Sequence, residues 1–189
     1  MSKAVLISIK PEWCELIANG NKTIEVRKTK PKLETPFKVY IYSTKPKNKN
    51  DLGLCLDKGM FGTLKKVGLL YKRNYETAKH LNMQILSGKV IGEFVCDKIT
   101  ELAPINRSPD DVEERACLTR REIVRYLKGR GYAWLISDLV IYDKPKELSE
   151  FARHDNTYDN AFGGAFEDRA KNTPIKRPPQ SWCYVEEAK

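Results

Sequence analysis

The segment Gly20–Arg27, which reads Gly-Asn-Lys-Thr-Ile-Glu-Val-Arg, constrains the fold more than any other part of the chain. A glycine that can end a helix is followed by residues that alternate between apolar and charged side chains. Successive side chains of a strand point to opposite faces. We therefore expect a strand that places Ile24 and Val26 in a core and its charged side chains on the other face.

Lys22, Glu25 and Arg27, here called the charged trio, bring an ammonium, a carboxylate and a guanidinium together within six residues. Folding does not require this convergence, whereas recognition of a polar planar or anionic ligand does. A solvated strand edge with an ordinary Glu–Arg pair is the alternative that spacing alone leaves open. The trio is the first candidate for a binding site.

The same segment resembles the G-x-K-x-x-E-x-R signature of the ASCH domains, a branch of the PUA-like superfamily of small β-barrels associated with RNA and modified nucleobases. Further segments resemble the family's strands and first helix in the family's order, namely Leu6–Trp13, Lys38–Ser43, Gly88–Phe94, Gly131–Trp134 and Trp182–Val185. The resemblance implies an α+β fold, a PUA-like small mixed β-barrel with flanking helices. We expect one domain over residues 1–189.

Local patterns predict the main elements of this fold. The residues Lys89–Glu101 indicate one long strand with a bulge at Gly92. Thr119–Glu122 reads as a capping box that begins a helix ending at Gly129, and Tyr132–Tyr142 indicates a further strand.

Two long segments depart from a minimal ASCH domain, a basic insertion at residues 44–88 and a loop at residues 150–180. Residues 21–89 carry 16 basic and 5 acidic side chains, whereas residues 90–189 carry 16 and 18. A local positive excess is typical of proteins that bind nucleic acid, although lysine-rich loops also serve solubility alone.

Composition excludes several other classes of function. No apolar run approaches the roughly 20 residues that span a bilayer, so we expect a cytoplasmic protein without membrane contact. The five cysteines are widely spaced and lack a C-x-x-C pair, which indicates reduced thiols. With two histidines, neither beside a cysteine pair, we expect no metal site and no cofactor.

The resemblance implies a pocket between the first helix and the barrel mouth, lined by the signature. On that basis RNA or a modified nucleoside is the expected ligand, with phosphate or carbonyl contacts from the basic groups and stacking on tryptophan. The predicted ligand-binding residues are Lys10, Lys22, Glu25, Arg27, Tyr42, Ser43, Trp134, Ser181 and Trp182. Trp13 is a further stacking candidate, although its apolar periodic setting favours a core position.

An enzyme is the alternative of a different class. Some ASCH proteins resemble amidohydrolases that use a threonine three residues after the signature lysine, but Glu25 stands at that position here. If the chain is a hydrolase of modified nucleosides or a ribonuclease, the candidate catalytic residues are Lys22, Glu25 and Glu114, with Glu93 as another second carboxylate. A protein-interaction module built on the insertion is a third alternative, and the sequence leaves the oligomeric state open.

Overall fold

The computed structural model describes residues 3–47, 53–57, 69–72, 83–102, 111–154 and 173–187. The strands are β1 Lys3–Ile9, β2 Ile24–Arg27, β3 Phe37–Ser43, β4 Gly53–Asp57, β5 Leu69–Lys72, β6 Met83–Ile85, β7 Val90–Cys96, β8 Ile99–Leu102, β9 Gly131–Leu135, β10 Ser137–Lys146 and β11 Trp182–Glu186. The helices are α1 Pro11–Ala18, α2 Val112–Ala116 and α3 Arg120–Leu127, and a 3-10 turn covers Leu148–Glu150.

The largest sheet has the strand order β10-β7-β3-β1-β11. In it β1 is parallel to β3, and the other neighbours are antiparallel. Strand β1 is buried on both faces, with Val5 and Ile7 in one apolar cluster and Ala4 and Leu6 in another. The chain's first strand is thus held between β3 and β11.

Helix α1 follows β1 directly because Pro11 occupies its first position, where the missing N–H costs no hydrogen bond. The helix ends at Ala18 with Asn19 as its C-cap, and the next residue, Gly20, has a φ of 76°, the left-handed conformation that glycine adopts without strain. The backbone N–H groups of Asn21 and Lys22 both donate to the Leu16 carbonyl oxygen. This helix end fixes the position of Lys22 and the direction in which the chain then enters β2.

Two other sheets lie beside the large one, with the orders β2-β9-β8 and β5-β4-β6. Among the described strands no closed barrel is seen, whereas the expected mixed fold of many strands with few helices is confirmed. The chain leaves the large sheet at residues 97–98, after β7, and returns to it at Ile136, between β9 and β10. The two long strands expected from sequence, at residues 89–101 and 132–142, are each divided at these points, so each half joins a different sheet.

The predicted bulge at Gly92 is confirmed. Gly92 pairs with Ile41 of β3, but the next pair joins Tyr42 to Val90, so Ile91 is the extra residue. A Cβ atom on Gly92 would lie 2.3 Å from the carbonyl oxygen of Val140 in the neighbouring β10. Glycine therefore permits the close approach of β7 and β10.

The predicted capping box also exists. Thr119 Oγ1 accepts from the backbone N–H of Glu122, and the Glu122 carboxylate accepts from the N–H of Thr119 at 2.8 Å. Helix α3 then buries Ile123 and Leu127 against β2 and β9, in the same cluster as Ile24 and Val26. These two strand residues thus point into a core, as their alternation predicted.

The predicted insertion at residues 44–88 lies largely outside the described residues, and the strands described within that range form the β5-β4-β6 sheet. Most of the predicted loop at 150–180 also lies outside them. Its two described ends are joined by a bridge between Ala152 and Pro174, and Arg153 forms a further bridge with Val185 of β11. Among the described residues, no helix is long and apolar enough to cross a bilayer, and no group of His, Cys, Asp and Glu is placed to hold a metal ion.

Candidate binding cavity

The charged trio is buried together. The exposed fractions of Lys22, Glu25 and Arg27 are 2%, 6% and 7%. Lys22 Nζ lies 3.4 Å from one carboxylate oxygen of Glu25, and Arg27 Nη2 lies 2.9 Å from the other. Ordinary strand-edge charges stay in solvent, so this burial separates the trio from the alternative of a solvated ion pair.

Lys22 is held by two further groups from different elements. Its ammonium donates a 2.7 Å hydrogen bond to the carbonyl oxygen of Ala116, the last residue of α2. The same ammonium lies 5.4 Å from the ring centroid of Trp13 on α1, within cation–π range. Lys22 therefore connects α1, α2 and β2 at one point.

Arg27 connects the trio to β1 and to the segment before β11. Its Nη2 donates to the Ser8 carbonyl oxygen at 2.7 Å, and its Nη1 donates to Ser181 Oγ at 3.4 Å. Among the described residues its Nε has no hydrogen-bond partner, although the atom is buried. A buried donor without a partner is costly unless a ligand or water accepts from it.

The trio lies in the wall of a cavity of about 620 Å³. Helix α1 and the end of β1 form one side, helix α3 forms another, and the segment before β11 closes a third. The lining residues are Ser8, Ile9, Lys10, Trp13, Lys22, Glu25, Val26, Arg27, Thr44, Leu118, Glu122, Tyr126, Pro178, Pro179 and Gln180. A hydrogen bond from the Ser8 hydroxyl to the Pro179 carbonyl oxygen, 2.7 Å long, fixes the third side against the first.

The cavity carries an unbalanced positive charge. The buried trio contains two cations and one carboxylate. Lys10 and Glu122 also belong to the lining, but both are exposed, so solvent screens their charges more than those of the buried trio. Hydrogen bonds from the Thr119 hydroxyl and N–H lower the pKa of the Glu122 carboxyl, which keeps it ionised. Because an unpaired buried charge is unfavourable, the arrangement suits an occupant with an anionic or strongly electronegative group.

Five of the predicted site residues meet at this cavity. Lys10, Lys22, Glu25 and Arg27 line it, and Ser181 accepts a hydrogen bond from Arg27. Lys10 is the most exposed of the five, and its ammonium lies 3.7 Å from the carboxylate of Glu12, which is outside the lining.

Other predicted residues lie elsewhere. Tyr42 packs with Tyr40 and Phe151 in the cluster on the far face of the large sheet, and Ser43 is fully buried. Trp134 has no exposed surface and packs between Phe37 and Trp182. The structure places none of these in the cavity lining, because alternation along each strand turns their side chains toward a core.

Trp182 and Glu114 also lie outside the lining. The indole N–H of Trp182 donates to Thr29 Oγ1 at 3.0 Å, and its ring packs edge-on against Tyr184. Glu114 is exposed on α2, whose contribution to the site is the Ala116 carbonyl oxygen. Of the predicted catalytic residues, Lys22 and Glu25 line the cavity and Glu114 does not.

Sequence reasoning missed several lining residues, above all Glu122 and Tyr126 on α3. They lie four residues apart on the helix and directly precede the buried stripe of Ile123 and Leu127. Tyr126 is 42% exposed. An exposed aromatic residue flanking the apolar stripe was the signal available. Trp13, for which a core position was favoured, lines the cavity.

Comparisons with known proteins agree with this architecture. The ASCH domain family model matches residues 7–151. The crystal structure of ASCH from Zymomonas mobilis has a TM-score of 0.56 at 18% identity, covering 97% of this chain and 88% of that one. One mutant form of the Zymomonas mobilis protein has a TM-score of 0.56 at 17% identity, covering 97% of this chain and 89% of that one. A second mutant form has a TM-score of 0.57 at 18% identity, covering 98% of this chain and 92% of that one. At this identity the likeness shows the fold alone. No curated protein matches the chain.

Proposed function

This chain belongs to the ASCH domain family, and from that premise we propose that it binds RNA or a modified nucleoside in the cavity around Lys22, Glu25 and Arg27. The observation that carries the proposal is the buried excess of positive charge in the cavity wall. A phosphate supplies the missing negative charge, and the carbonyl and ring-nitrogen atoms of a nucleobase supply neutral hydrogen-bond acceptors for the same donors.

The size and lining of the cavity support the same class of ligand. A volume of about 620 Å³ lies within the range of small-molecule sites. The rings of Trp13 and Tyr126 belong to the lining, and aromatic side chains next to fixed polar groups are the usual components of base recognition. Arg27 offers the planar fork and the buried Nε donor, and Glu25 orients that fork.

Binding measured by calorimetry with a panel of nucleosides, nucleotides and short RNAs tests the proposal. The informative variant is Arg27→Lys, which keeps the charge but removes the planar donor set. We expect its affinity for the best ligand of the panel to fall about tenfold or more, as a lost charge-assisted hydrogen bond predicts. Arg130→Lys, at an exposed ion pair with Glu101, is the matched control and should bind like the wild type. Equal affinity of Arg27→Lys and wild type for every ligand would exclude this site.

The hydrolase alternative has less support than binding. Both carboxylate oxygens of Glu25 face cations, at 3.4 and 2.9 Å, which reduces its availability as a general base. Glu93 accepts from the Tyr142 hydroxyl and pairs with Lys38, and Glu114 lies outside the lining. The interaction-module alternative concerns residues 44–88, most of which lie outside the described residues.

A further inference from the structure

A basic segment leads away from the cavity. Residues 28–32 directly follow Arg27, and in them Lys28, Lys30 and Lys32 are exposed. None of these three ammonium groups lies within 4.0 Å of a carboxylate among the described residues. Lys28 Nζ lies 5.3 Å from the ring centroid of Tyr126, which lines the cavity, so the segment begins at the cavity mouth.

The backbone of this segment is fixed by the residues between the lysines. Thr29 Oγ1 accepts from the indole N–H of Trp182 at 3.0 Å, and Pro31 is buried. At its far end the N–H of Lys32 donates to the Tyr184 hydroxyl at 2.7 Å. The lysine side chains are thus the outward parts of an anchored segment, and binding there need not order the backbone first.

Two of the ammonium groups have preferred positions. Lys28 lies over Tyr126, and Lys30 Nζ lies 5.4 Å from the ring centroid of Tyr132. A cation over an aromatic face keeps its N–H donors toward solvent and loses less side-chain entropy on meeting an anion.

Among the residues that the structure describes, few acidic groups lie near this segment. Glu101, which pairs with Tyr132 across the strands, is neutralised by Arg130 at 3.0 Å. Glu34 follows two residues after Lys32, and Glu122 lies at the cavity mouth. Three lysines in five residues therefore outweigh the nearby carboxylates.

We propose that residues 28–32 bind the phosphates of a single-stranded nucleic acid whose next nucleotide occupies the cavity. The proposal rests on the function proposed above and narrows its ligand to a nucleotide within a chain rather than a free nucleoside. A row of outward ammonium groups beginning at the cavity mouth contributes nothing to a free nucleoside buried inside. It matches the repeating negative charge of a phosphodiester backbone.

The experiment compares three proteins on two kinds of probe. The proteins are the wild type, the triple variant Lys28→Gln, Lys30→Gln, Lys32→Gln, and a control variant with Lys47, Lys98 and Lys144 changed to Gln, which loses the same charge at exposed sites outside the segment. The probes are a labelled single-stranded RNA of about ten nucleotides in mixed sequence, with its DNA counterpart, and the ribonucleoside 5′-monophosphates. Affinities are measured by fluorescence anisotropy and calorimetry at several salt concentrations.

We expect the triple variant to bind the RNA about tenfold more weakly than wild type does, with a salt slope smaller by about 2, since each single-strand phosphate contact contributes about 0.7 to that slope. Its affinity for the monophosphates should fall less than its affinity for the RNA, because a monophosphate carries a single phosphate. Its urea midpoint should not change, and the control should behave like the wild type. If the triple variant loses the same affinity for RNA and for DNA, the segment binds phosphodiesters in general. If it loses more affinity for RNA, the segment is selective for RNA.

Three results would overturn the proposal. The first is that the triple variant and the wild type bind RNA equally well, and the second is that the control variant loses as much RNA affinity as the triple variant. The third is that polyglutamate displaces the RNA as effectively as unlabelled RNA does. Monophosphate binding that depends on Arg27 would leave the cavity proposal intact in each case. Absence of any binding by the wild type to either probe would end both proposals.

Discussion

At the scale of single residues, Glu25 is the group on which the cavity wall depends. It is the carboxylate between two buried cations, one of which reaches α2 and the other β1. Removing one member of a buried charge group leaves the others uncompensated, which costs more than the group contributes when intact.

We therefore expect Glu25→Gln to lower the free energy of unfolding by about 3 to 5 kcal/mol, measured by urea denaturation. The matched control is Glu12→Gln, because Glu12 pairs with exposed Lys10 at 3.7 Å and should cost less than about 1 kcal/mol. Similar losses in the two variants would mean that the trio is not stabilised by this carboxylate.

The convergence of the trio was predictable, because its members lie within six residues and strand alternation places Glu25 and Arg27 on one face. Their other partners were not. The bonds from Arg27 to Ser8, from Lys22 to Ala116 and from Arg27 to Ser181 span 19, 94 and 154 residues. Contacts at such separations depend on the packing of whole elements, which local patterns do not specify.

At the scale of elements, Gly92 determines how the large sheet bends. The bulge at Ile91 shortens the pairing with β3, and on the other side the carbonyl oxygen of Val140 approaches the glycine Cα. Bulges of this kind change strand direction and increase local twist.

Gly92→Ala should separate β7 from β10 locally and lower the free energy of unfolding by about 2 to 3 kcal/mol, as overpacking of a tight site does. Gly129→Ala is the comparison, since a Cβ there meets nothing within 4 Å although φ is 142°; it tests conformational strain without a clash. A loss at Gly92 no larger than the loss at Gly129 would contradict the packing explanation. Thermal or urea unfolding measures both.

Helix α3 was predictable because its capping box and apolar stripe are local. The breaks at residues 97–98 and at Ile136 were not, because they depend on which sheet each half-strand joins. Period-2 patterning marks a strand but does not specify which sheet each part of it joins, so the division of the described strands among three sheets could not be predicted.

At the scale of the whole molecule, the burial of thiol and phenol groups makes the free energy of unfolding depend on pH in the alkaline range. Burial raises the pKa of the Cys96 thiol to about 12 and also raises the pKa values of Cys14 and Cys183. Burial and then the hydrogen bond to Glu93 raise the pKa of Tyr142. These groups stay protonated in the folded protein at pH values where the unfolded chain loses their protons. Their contribution to stability is complete below the ordinary pKa values, 9.0 for cysteine and 10.0 for tyrosine, and is lost progressively as the pH rises above them.

The urea midpoint, measured with a reductant present, should therefore be constant near neutrality and fall between about pH 8.5 and about pH 11. Tyr142→Phe removes one of the titrating groups. Whatever the urea midpoint of this variant at pH 7, it should fall less than the wild-type midpoint does over the upper part of this pH interval. A wild-type midpoint that is flat to the end of the interval would contradict this assignment, as would an identical decline in the variant.

The pairing of β1 with β11 has a consequence for protein synthesis. Pro178, Pro179 and Gln180 form one side of the cavity, and they are held in place by Ser181 and by the antiparallel register that follows it. The ribosome makes these residues after every other part of the wall. A nascent chain that has emerged only as far as α3 and β9 therefore lacks one side of the cavity, which is completed only after β11 has been made.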